Sequence, residues 1–301
     1  MNYNNFIDIK DNSQTELKSI LEAAHKLKSE LKKGIMPTPL KGKHLAMIFE
    51  KSSTRTRVSF EVAINQLGGH AVLLSNSSSQ IGRGETIADT ARVLARYVDI
   101  IMMRTFEHNS LTDLADFAKI PVINGLTDHS HPCQIMADIL TIEEKLGTIA
   151  GKTVAWVGDW NNMSQSWVEA ADKLNFTLNI ACPEVFTPSV NSYGNTNFFT
   201  NPQEAVKNAH CVTTDTWVSM GDTNADEKRA ILANFQVNDA LMELADGNAI
   251  FLHCLPAHRD EEVTTSVIDG PQSAIWDEAE NRLHIQKAII LWCLNLLPHQ
   301  N

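Results

Sequence analysis

The chain has 301 residues, of which 43% are hydrophobic and 20% charged, a composition typical of a folded globular protein long enough for about two domains. With 36 acidic and 25 basic residues its net charge is -11, which disfavours nonspecific binding to nucleic acid and to anionic membranes. An anionic ligand would therefore need a local cationic pocket.

Strand-like and helix-like segments alternate along the chain. A capping box, Ser13 with Glu16, and an apolar face at helical spacing predict a first helix that ends before Pro37. Short apolar runs then predict buried strands at 44–50, 70–75, 99–104, 121–124, 153–159, 177–182, 211–217 and 249–255. Amphipathic runs predict further helices at about 54–67, 86–97, 110–118, 132–146 and 277–297.

This alternation predicts an α/β fold with two doubly wound parallel-sheet domains. The segment GTIAGK interrupts the pattern, so we place the domains at 1–148 and 149–301. The final helix could cross back to the first domain. In such folds ligands bind where strands end and helices begin, and most of the motifs below fall at such positions.

Cysteine content and the start of the sequence bear on the compartment. Five cysteines, an odd number, in a chain of this length indicate reduced thiols. The first residues show no basic segment followed by an apolar run, and no run approaches the roughly 18 apolar residues expected of a membrane span. We therefore expect a cytoplasmic protein that acts without a membrane or nucleic acid.

The segment EKSSTRTRVSFE follows a predicted strand and opens a helix. Hydroxyl side chains lie there beside free helix N–H groups, which together suit an anion; they belong to Ser52, Ser53, Thr54 and Thr56. Arg55 and Arg57 add guanidinium forks that match phosphate oxygens. An ordinary helix cap with arginines in solvent is the alternative, but the density of these groups favours phosphate binding. The Gly-rich run and lysine of a Walker loop are missing.

Three more polar residues stand at strand ends or helix starts. Arg104 ends a strand, where burying a guanidinium is costly unless it meets an anion, although a structural ion pair explains it equally well. In HPCQ, His131 and Gln134 could donate to a carbonyl or phosphate oxygen, or simply cap the helix.

Two motifs in the second half could bind an amino-acid ligand. GDWNN has the strand–turn–helix position of a dinucleotide site but only Gly158, so a nicotinamide cofactor is disfavoured. Asn162 could hold a carboxylate or form a turn. Asp215, at a strand end, suits an amine ligand or a turn, and Ser219 and Met220 follow it in a loop.

The stretch FLHCLPAHRDEE places His253, Cys254 and His258 within six positions. Adjacent residues of a strand point to opposite faces, so His253 and Cys254 could bind one metal only if the backbone bends. Zinc sites also favour paired ligands at fixed spacing, which are missing here. A thiol facing a ligand, or a buried cysteine, is therefore favoured over a metal site. The stretch gives no role for His258.

In this order the motifs resemble those of the aspartate/ornithine transcarbamoylase family, most closely its ornithine carbamoyltransferases. The matching segments are STRTR (53–57), MRT (103–105), HPCQ (131–134), GDWNN (158–162), DTWVSMG (215–221), HCLPAHR (253–259) and AENR (279–282). Each is weak alone, but seven in sequence are specific.

The resemblance implies transfer of a carbamoyl group from carbamoyl phosphate to the side-chain amine of L-ornithine, giving citrulline and phosphate in arginine metabolism. It implies no cofactor and no metal, and a homotrimer whose sites are shared between subunits. Residues 1–148 would bind carbamoyl phosphate and residues 149–301 ornithine. Whether the physiological flux is anabolic or catabolic is not readable from these motifs.

The same resemblance assigns residues to each substrate. Carbamoyl phosphate would contact Ser53, Thr54, Arg55, Thr56, Gln80 of a neighbouring subunit, Arg104, His131, Gln134, Cys254, Leu255 and Arg282. Ornithine would contact Asn162, Asp215, Ser219 and Met220. The catalytic residues would be Arg104, His131, Asp215 and Cys254, the last poised by Asp215 as candidate acceptor for the amine proton.

Three alternatives stay open from sequence. The acceptor could be another amine, namely putrescine, an N-acylated ornithine or aspartate. The chain could be a noncatalytic carbamoyl-phosphate-binding subunit, although such a protein would not need Cys254 and the acceptor loop. A zinc hydrolase using His131, Cys133, His253 and Cys254 is the third.

Overall fold

The computed structural model describes residues 3–75, 84–188, 194–218 and 224–297. The chain forms two compact units, the first made of residues 1–137 and 281–301 and the second of residues 138–280. It passes from one to the other inside two helices, Pro132–Leu146 (α5) and Ile275–Cys293 (α11). Residues 281–297 thus belong with the first unit, and the first change of unit precedes the boundary placed at 148/149 from sequence.

The first unit is built on a four-stranded parallel sheet with the order β2-β1-β3-β4. Its strands are β1 (His44–Phe49), β2 (His70–Ser75), β3 (Ile100–Arg104) and β4 (Val122–Leu126), and its helices besides parts of α5 and α11 are α1 (Gln14–Lys32), α2 (Thr54–Gln66), α3 (Ile87–Leu94) and α4 (His108–Ala118). The inner strands β1 and β3 are buried almost throughout, whereas β2 is partly exposed at an edge. This explains why β1 and β3 read as continuous apolar runs.

Helix α1 shows how local sequence sets an element. The Ser13 side chain accepts from the backbone N–H of Glu16 and the Glu16 side chain accepts in return, so the predicted capping box is confirmed. The predicted apolar face is buried at Leu17, Ile20, Leu21, Ala24 and Leu27.

The second unit contains a five-stranded parallel sheet with the order β7-β6-β5-β8-β9. Its strands are β5 (Thr153–Val157), β6 (Thr177–Ala181), β7 (Thr196–Phe199), β8 (Cys211–Thr214) and β9 (Ile250–His253), and its further helices are α6 (Asn162–Leu174), α7 (Pro202–Val206), α8 (Ala225–Leu232), α9 (Asp239–Met242) and α10 (Thr265–Ile268). Val157 of β5, Val212 of β8 and Phe251 of β9 form part of its hydrophobic core.

The predicted α/β class with two parallel sheets is confirmed, and every predicted strand is present. Strand β7 was not predicted because it is only four residues long, lies partly exposed at a sheet edge and follows a polar loop. Among the described helices, none combines the length and apolar character needed to cross a bilayer.

Parallel strands place their carboxyl ends at one edge of each sheet. In the first unit that edge carries the start of α2, Arg104 and the start of α5. In the second it carries the loop after β5, Asp215 after β8 and Cys254 after β9. The polar motifs of the sequence therefore collect at the ligand-binding edge of each sheet.

Candidate active site

The turn from β1 into α2 has the form expected of an anion cradle. Ser53 is the N-cap, and its Oγ accepts from the Thr56 backbone N–H at 3.2 Å. Thr54 is exposed and Arg55 half-buried in the first helical turn. The cap predicted as the alternative is thus present, but it uses Ser53 only as an acceptor. The cap therefore leaves the hydroxyl proton and the helix N-terminus compatible with a bound anion.

Two guanidinium groups converge on the Thr56 hydroxyl. Arg104 Nη1 donates to Thr56 Oγ1 at 3.2 Å, and Arg282 Nη2 donates to the same oxygen at 2.7 Å. Arg282 Nη1 also donates to Gln134 Oε1 at 2.7 Å. Thr56, Gln134 and Arg282 are buried. Residues from α2, β3, α5 and α11 therefore form one cationic cluster in the first unit.

The histidine beside this cluster is neutral. Burial, followed by the nearby charges of Arg282 and Arg104, keeps the pKa of His131 well below its usual value. A neutral imidazole can accept or donate a hydrogen bond without adding charge. The repulsion felt by His131 also shows that the local potential is positive, as an anion site requires.

The loop that carries His131 is held by a buried aspartate that sequence reasoning missed. Asp8 accepts a hydrogen bond from the Ser130 hydroxyl, and its other carboxylate oxygen lies 3.3 Å from His108 Nε2. Burial alone would raise the pKa of Asp8, but the hydrogen bonds from His108 and Ser130 outweigh it and hold the pKa well below its usual value. Asp8 had no sequence signal for this role, because Ser130 and His108 are distant from it along the chain, with Ser130 122 positions away.

A buried lysine, Lys51, lies in the loop just before the cradle. Its ammonium contacts the Asp128 carboxylate and stands 4.3 Å from the centroid of the Phe106 ring. The neighbouring Glu50 carboxylate accepts a hydrogen bond from Thr105. These contacts tie the cradle to the segments that follow β3 and β4. The sequence pattern pointed only to the hydroxyls and arginines of this segment, and it gave no role for Lys51.

In the second unit a carboxylate and a thiol meet at the ends of β8 and β9. Cys254 Sγ donates to Asp215 Oδ1 at 3.1 Å, and the Thr216 backbone N–H donates to the same oxygen at 2.7 Å. Burial, followed by the Asp215 charge, raises the pKa of Cys254 well above its usual value. At neutral pH the sulfur therefore keeps its proton and acts as a donor.

The backbone turns sharply where β9 ends. Leu255 has a φ of +57°, in the left-handed region that non-glycine residues rarely adopt. The turn brings a ring nitrogen of His253, the Cys254 sulfur and an Asp215 oxygen within 4.8 Å of one another. The expectation that His253 and Cys254 point apart is therefore wrong, because the strand ends at His253. Both ring nitrogens are engaged, Nδ1 with the Leu255 N–H at 2.9 Å and Nε2 with Glu262 at 3.1 Å.

The two asparagines of GDWNN divide their roles. Asn161 caps α6, because its Oδ1 accepts from the backbone N–H groups of Met163 and Ser164. Asn162 is the first residue of α6 and is half-buried. The capping explanation thus holds for Asn161, whereas Asn162 stays a ligand-binding prediction.

Asp159 fastens this loop to α8. Its carboxylate lies 2.7 Å from the Lys228 ammonium, a partner that sequence reasoning missed. Burial raises the pKa of Asp159 although Lys228 opposes the shift. The predicted residues Ser219 and Met220 lie outside the described residues, as does Gln80 in the first unit.

The cationic cluster of the first unit suits an anionic donor, and the carboxylate of the second unit suits an amine, a combination compatible with a group-transfer enzyme. The sequence matches two family models, "Aspartate/ornithine carbamoyltransferase, carbamoyl-P binding domain" over residues 4–144 and "Aspartate/ornithine carbamoyltransferase, Asp/Orn binding domain" over residues 150–293. The chain belongs to the aspartate/ornithine carbamoyltransferase family.

Individual relatives agree with the family match. Ornithine carbamoyltransferase of Nitrobacter winogradskyi is 54% identical, with 96% of each chain covered. The Brucella abortus protein of the same name is also 54% identical, over 96% of this chain and 95% of its own. The solved ornithine carbamoyltransferase structure from Pyrococcus furiosus superposes with a TM-score of 0.92 at 48% identity, covering 97% of both chains. That from Burkholderia thailandensis gives 0.91 at 47%, covering 98% of this chain and 99% of its own.

Proposed function

We propose that this protein transfers the carbamoyl group of carbamoyl phosphate to the side-chain amine of L-ornithine, giving citrulline and phosphate. The observation that carries the proposal is the convergence of Arg104 and Arg282 on the buried Thr56 hydroxyl, in a chain of this family. The choice of ornithine is supported by the names of its relatives.

The first unit would bind carbamoyl phosphate and stabilise the leaving phosphate. As the amine nitrogen bonds to the carbonyl carbon, the bond from that carbon to the phosphate oxygen breaks and negative charge grows on phosphate. Arg55, Arg104, Arg282 and the N-terminus of α2 would stabilise that charge. Since the Thr56 oxygen accepts from two guanidinium groups, its own proton can donate to a bound oxygen. His131 and Gln134 would contact the carbonyl group.

The second unit would hold ornithine and take up the proton that its ammonium must lose. Because the Cys254 thiol donates its proton in a hydrogen bond to Asp215, the carboxylate and not the sulfur is the group placed to accept a proton. We therefore assign proton uptake to Asp215 and the orientation of that carboxylate to Cys254. On the family pattern, Asn162, Ser219 and Met220 would bind the ornithine backbone.

The proposal includes a homotrimer in the cytoplasm, with Gln80 reaching a neighbouring subunit's site. The family pattern supports the trimer, and five free cysteines are consistent with a reducing compartment. Light scattering on the purified protein should give about three times the chain mass of 33.4 kDa. A monomeric mass with full activity would contradict the shared site.

The reaction is tested by supplying carbamoyl phosphate with ornithine, putrescine, N-acetylornithine or aspartate and measuring each carbamoylated product. We expect efficient turnover with ornithine alone. Turnover with another amine but not with ornithine would overturn the acceptor assignment. No turnover with any amine would overturn the reaction itself.

Two arginines on the same helix provide a matched test of the phosphate role. Arg55 is half-buried in the first turn of α2, whereas Arg57 is exposed and lies 4.0 Å from Glu61. Arg55→Ala should lower kcat/KM for carbamoyl phosphate about 10- to 100-fold, since a hydrogen bond to a charged group contributes about 1.5–3 kcal/mol. Arg57→Ala should stay near wild type. Equal effects of the two substitutions would refute the assignment.

A further inference from the structure

Two hydrogen bonds in series connect the turn after β9 to a buried carboxylate. The Leu255 backbone N–H donates to His253 Nδ1 at 2.9 Å, and His253 Nε2 lies 3.1 Å from Glu262 Oε1. Because Nδ1 accepts, the ring proton is on Nε2 and is donated to Glu262. Glu262 therefore favours the tautomer of His253 that has its proton on Nε2, which leaves Nδ1 able to accept from the Leu255 backbone N–H.

Glu262 is built into the fold and does not lie in solvent. Its side chain is 0% exposed, although it belongs to the acidic run DEE. Its Oε1 also accepts from the His258 backbone N–H at 2.5 Å, and its own carbonyl accepts from Val237 at 2.9 Å. A buried carboxylate is costly unless it accepts such hydrogen bonds. The position of Oε1 is thus fixed from two sides.

The turn needs this support because its backbone is strained. A leucine in the left-handed region persists only where its surroundings hold it there. The strained residue directly follows Cys254, whose thiol donates to Asp215 at 3.1 Å. If the Leu255 backbone moved to an unstrained conformation, the Cys254 thiol would no longer point at the Asp215 carboxylate.

We propose that Glu262 is a positioning residue for carbamoyl transfer, acting through His253 to fix the backbone of Cys254 and Leu255. This rests on the proposed function for its effect on turnover, but its effect on the turn does not. We call the two hydrogen bonds that run from Leu255 through His253 to Glu262 the turn relay. This relay requires an acceptor oxygen at the position of Glu262 Oε1, and it does not require the negative charge.

Two conservative substitutions of Glu262 separate the effect of side-chain length from the effect of negative charge. Glu262→Gln keeps an oxygen at the same reach, and the amide replaces Oε2, which accepts no hydrogen bond within the described part of the chain. Glu262→Asp keeps the charge but withdraws the oxygen by one methylene, which breaks the 3.1 Å contact with His253. We expect the glutamine variant to keep kcat within about threefold of wild type. The aspartate variant should lose about 10- to 100-fold, since misplacing a reacting group by about 1 Å costs that much.

The rate at which Cys254 is alkylated reports on the conformation of the turn after β9. Cys254 is partly exposed while the other four cysteines are buried, so iodoacetamide should label it selectively. We expect Glu262→Asp to speed this labelling several-fold and Glu262→Gln to leave it unchanged. The measurement needs no substrate. If the wild-type protein fails to turn over ornithine, the proposed function is wrong. The labelling rates of the Glu262 variants still test the turn relay in that case.

Glu261 supplies the control, because it is adjacent in sequence and its carboxylate bonds to Arg229 at 2.9 Å instead of to the relay. Glu261→Asp should change neither turnover nor labelling. The proposal is overturned if Glu262→Asp has wild-type kcat and labelling, or if Glu262→Gln loses as much as Glu262→Asp. Failure of both Glu262 variants to show a cooperative melting transition would also overturn it, because the carboxylate would then serve the fold as a whole.

Discussion

Replacing Thr56 by valine would remove one buried oxygen and keep the shape of the side chain. That oxygen accepts from Arg104 Nη1 at 3.2 Å and from Arg282 Nη2 at 2.7 Å. With both lone pairs used by guanidinium groups, the hydroxyl proton is left to donate to a ligand, which on the proposed function would be an oxygen of carbamoyl phosphate. Thr56→Val would therefore remove that proposed donor together with the oxygen that orients two cations.

The expected size follows from these contacts. Loss of one hydrogen bond to a charged ligand costs about 1.5–3 kcal/mol, and about 1.4 kcal/mol corresponds to a tenfold change in affinity. The apparent affinity for carbamoyl phosphate should therefore fall about 10- to 100-fold. The substitution also takes away the oxygen to which Arg104 and Arg282 donate. This loss should lower the free energy of unfolding by about 1–3 kcal/mol.

The assay is steady-state kinetics with carbamoyl phosphate varied at saturating ornithine, together with product inhibition by phosphate. The KM for carbamoyl phosphate and the inhibition constant for phosphate should rise by similar factors, while KM for ornithine changes little. Thr112→Val is the matched control, because the Thr112 hydroxyl donates to the Asn109 carbonyl of its own helix at 3.0 Å. If Thr56→Val leaves KM for carbamoyl phosphate and inhibition by phosphate within twofold of wild type, the hydroxyl is not a ligand donor and the reasoning fails.

Three further predictions concern charge. Asp215→Asn removes the carboxylate that raises the pKa of Cys254, so iodoacetamide should alkylate that thiol faster at pH 8; an unchanged rate would contradict the pairing. The folded-state pKa of Asp8 is lowered, so its stabilisation is present above the unfolded value of about 3.9 and is lost as pH falls. Asp8→Asn should therefore unfold at lower urea than wild type at pH 7, with the gap closing below about pH 4, and equal midpoints at pH 7 would count against it. His131 is already neutral at assay pH, so His131→Asn should lower kcat without moving the acidic limb of the pH profile, whereas a shifted limb would show that His131 titrates there.

The fold was largely predictable because its signals are local. Continuous apolar runs mark the buried strands, and in a parallel sheet their carboxyl ends must share an edge, which places Arg104 and Asp215 at ligand-binding edges. The contact between Arg282 and Thr56 joins residues 226 positions apart, and no periodicity reports such a distance. Only the resemblance to a family suggested it.

The turn after β9 shows the opposite limit. Alternation of side chains along a strand predicted that His253 and Cys254 face apart, and that rule stops where the strand stops. Glu262 belongs to an acidic run that reads as a solvated surface, yet its side chain is buried against His253. The wrong prediction for His253 and Cys254 and the lack of any prediction for Glu262 have one cause, because a strained turn follows from tertiary contacts and leaves no periodic pattern in the sequence.

The hydrogen bond from Cys254 to Asp215 also bears on resistance to oxidants. Peroxides attack thiolates, and among the five cysteines the one partly exposed thiol, Cys254, stays protonated beside a carboxylate while the other four are buried. We therefore expect peroxides to oxidise Cys254 to a sulfenic acid more slowly than they oxidise the thiolate of a thiolate enzyme. The carboxylate that would collect the proton of the substrate amine thus also protects the sulfur next to it.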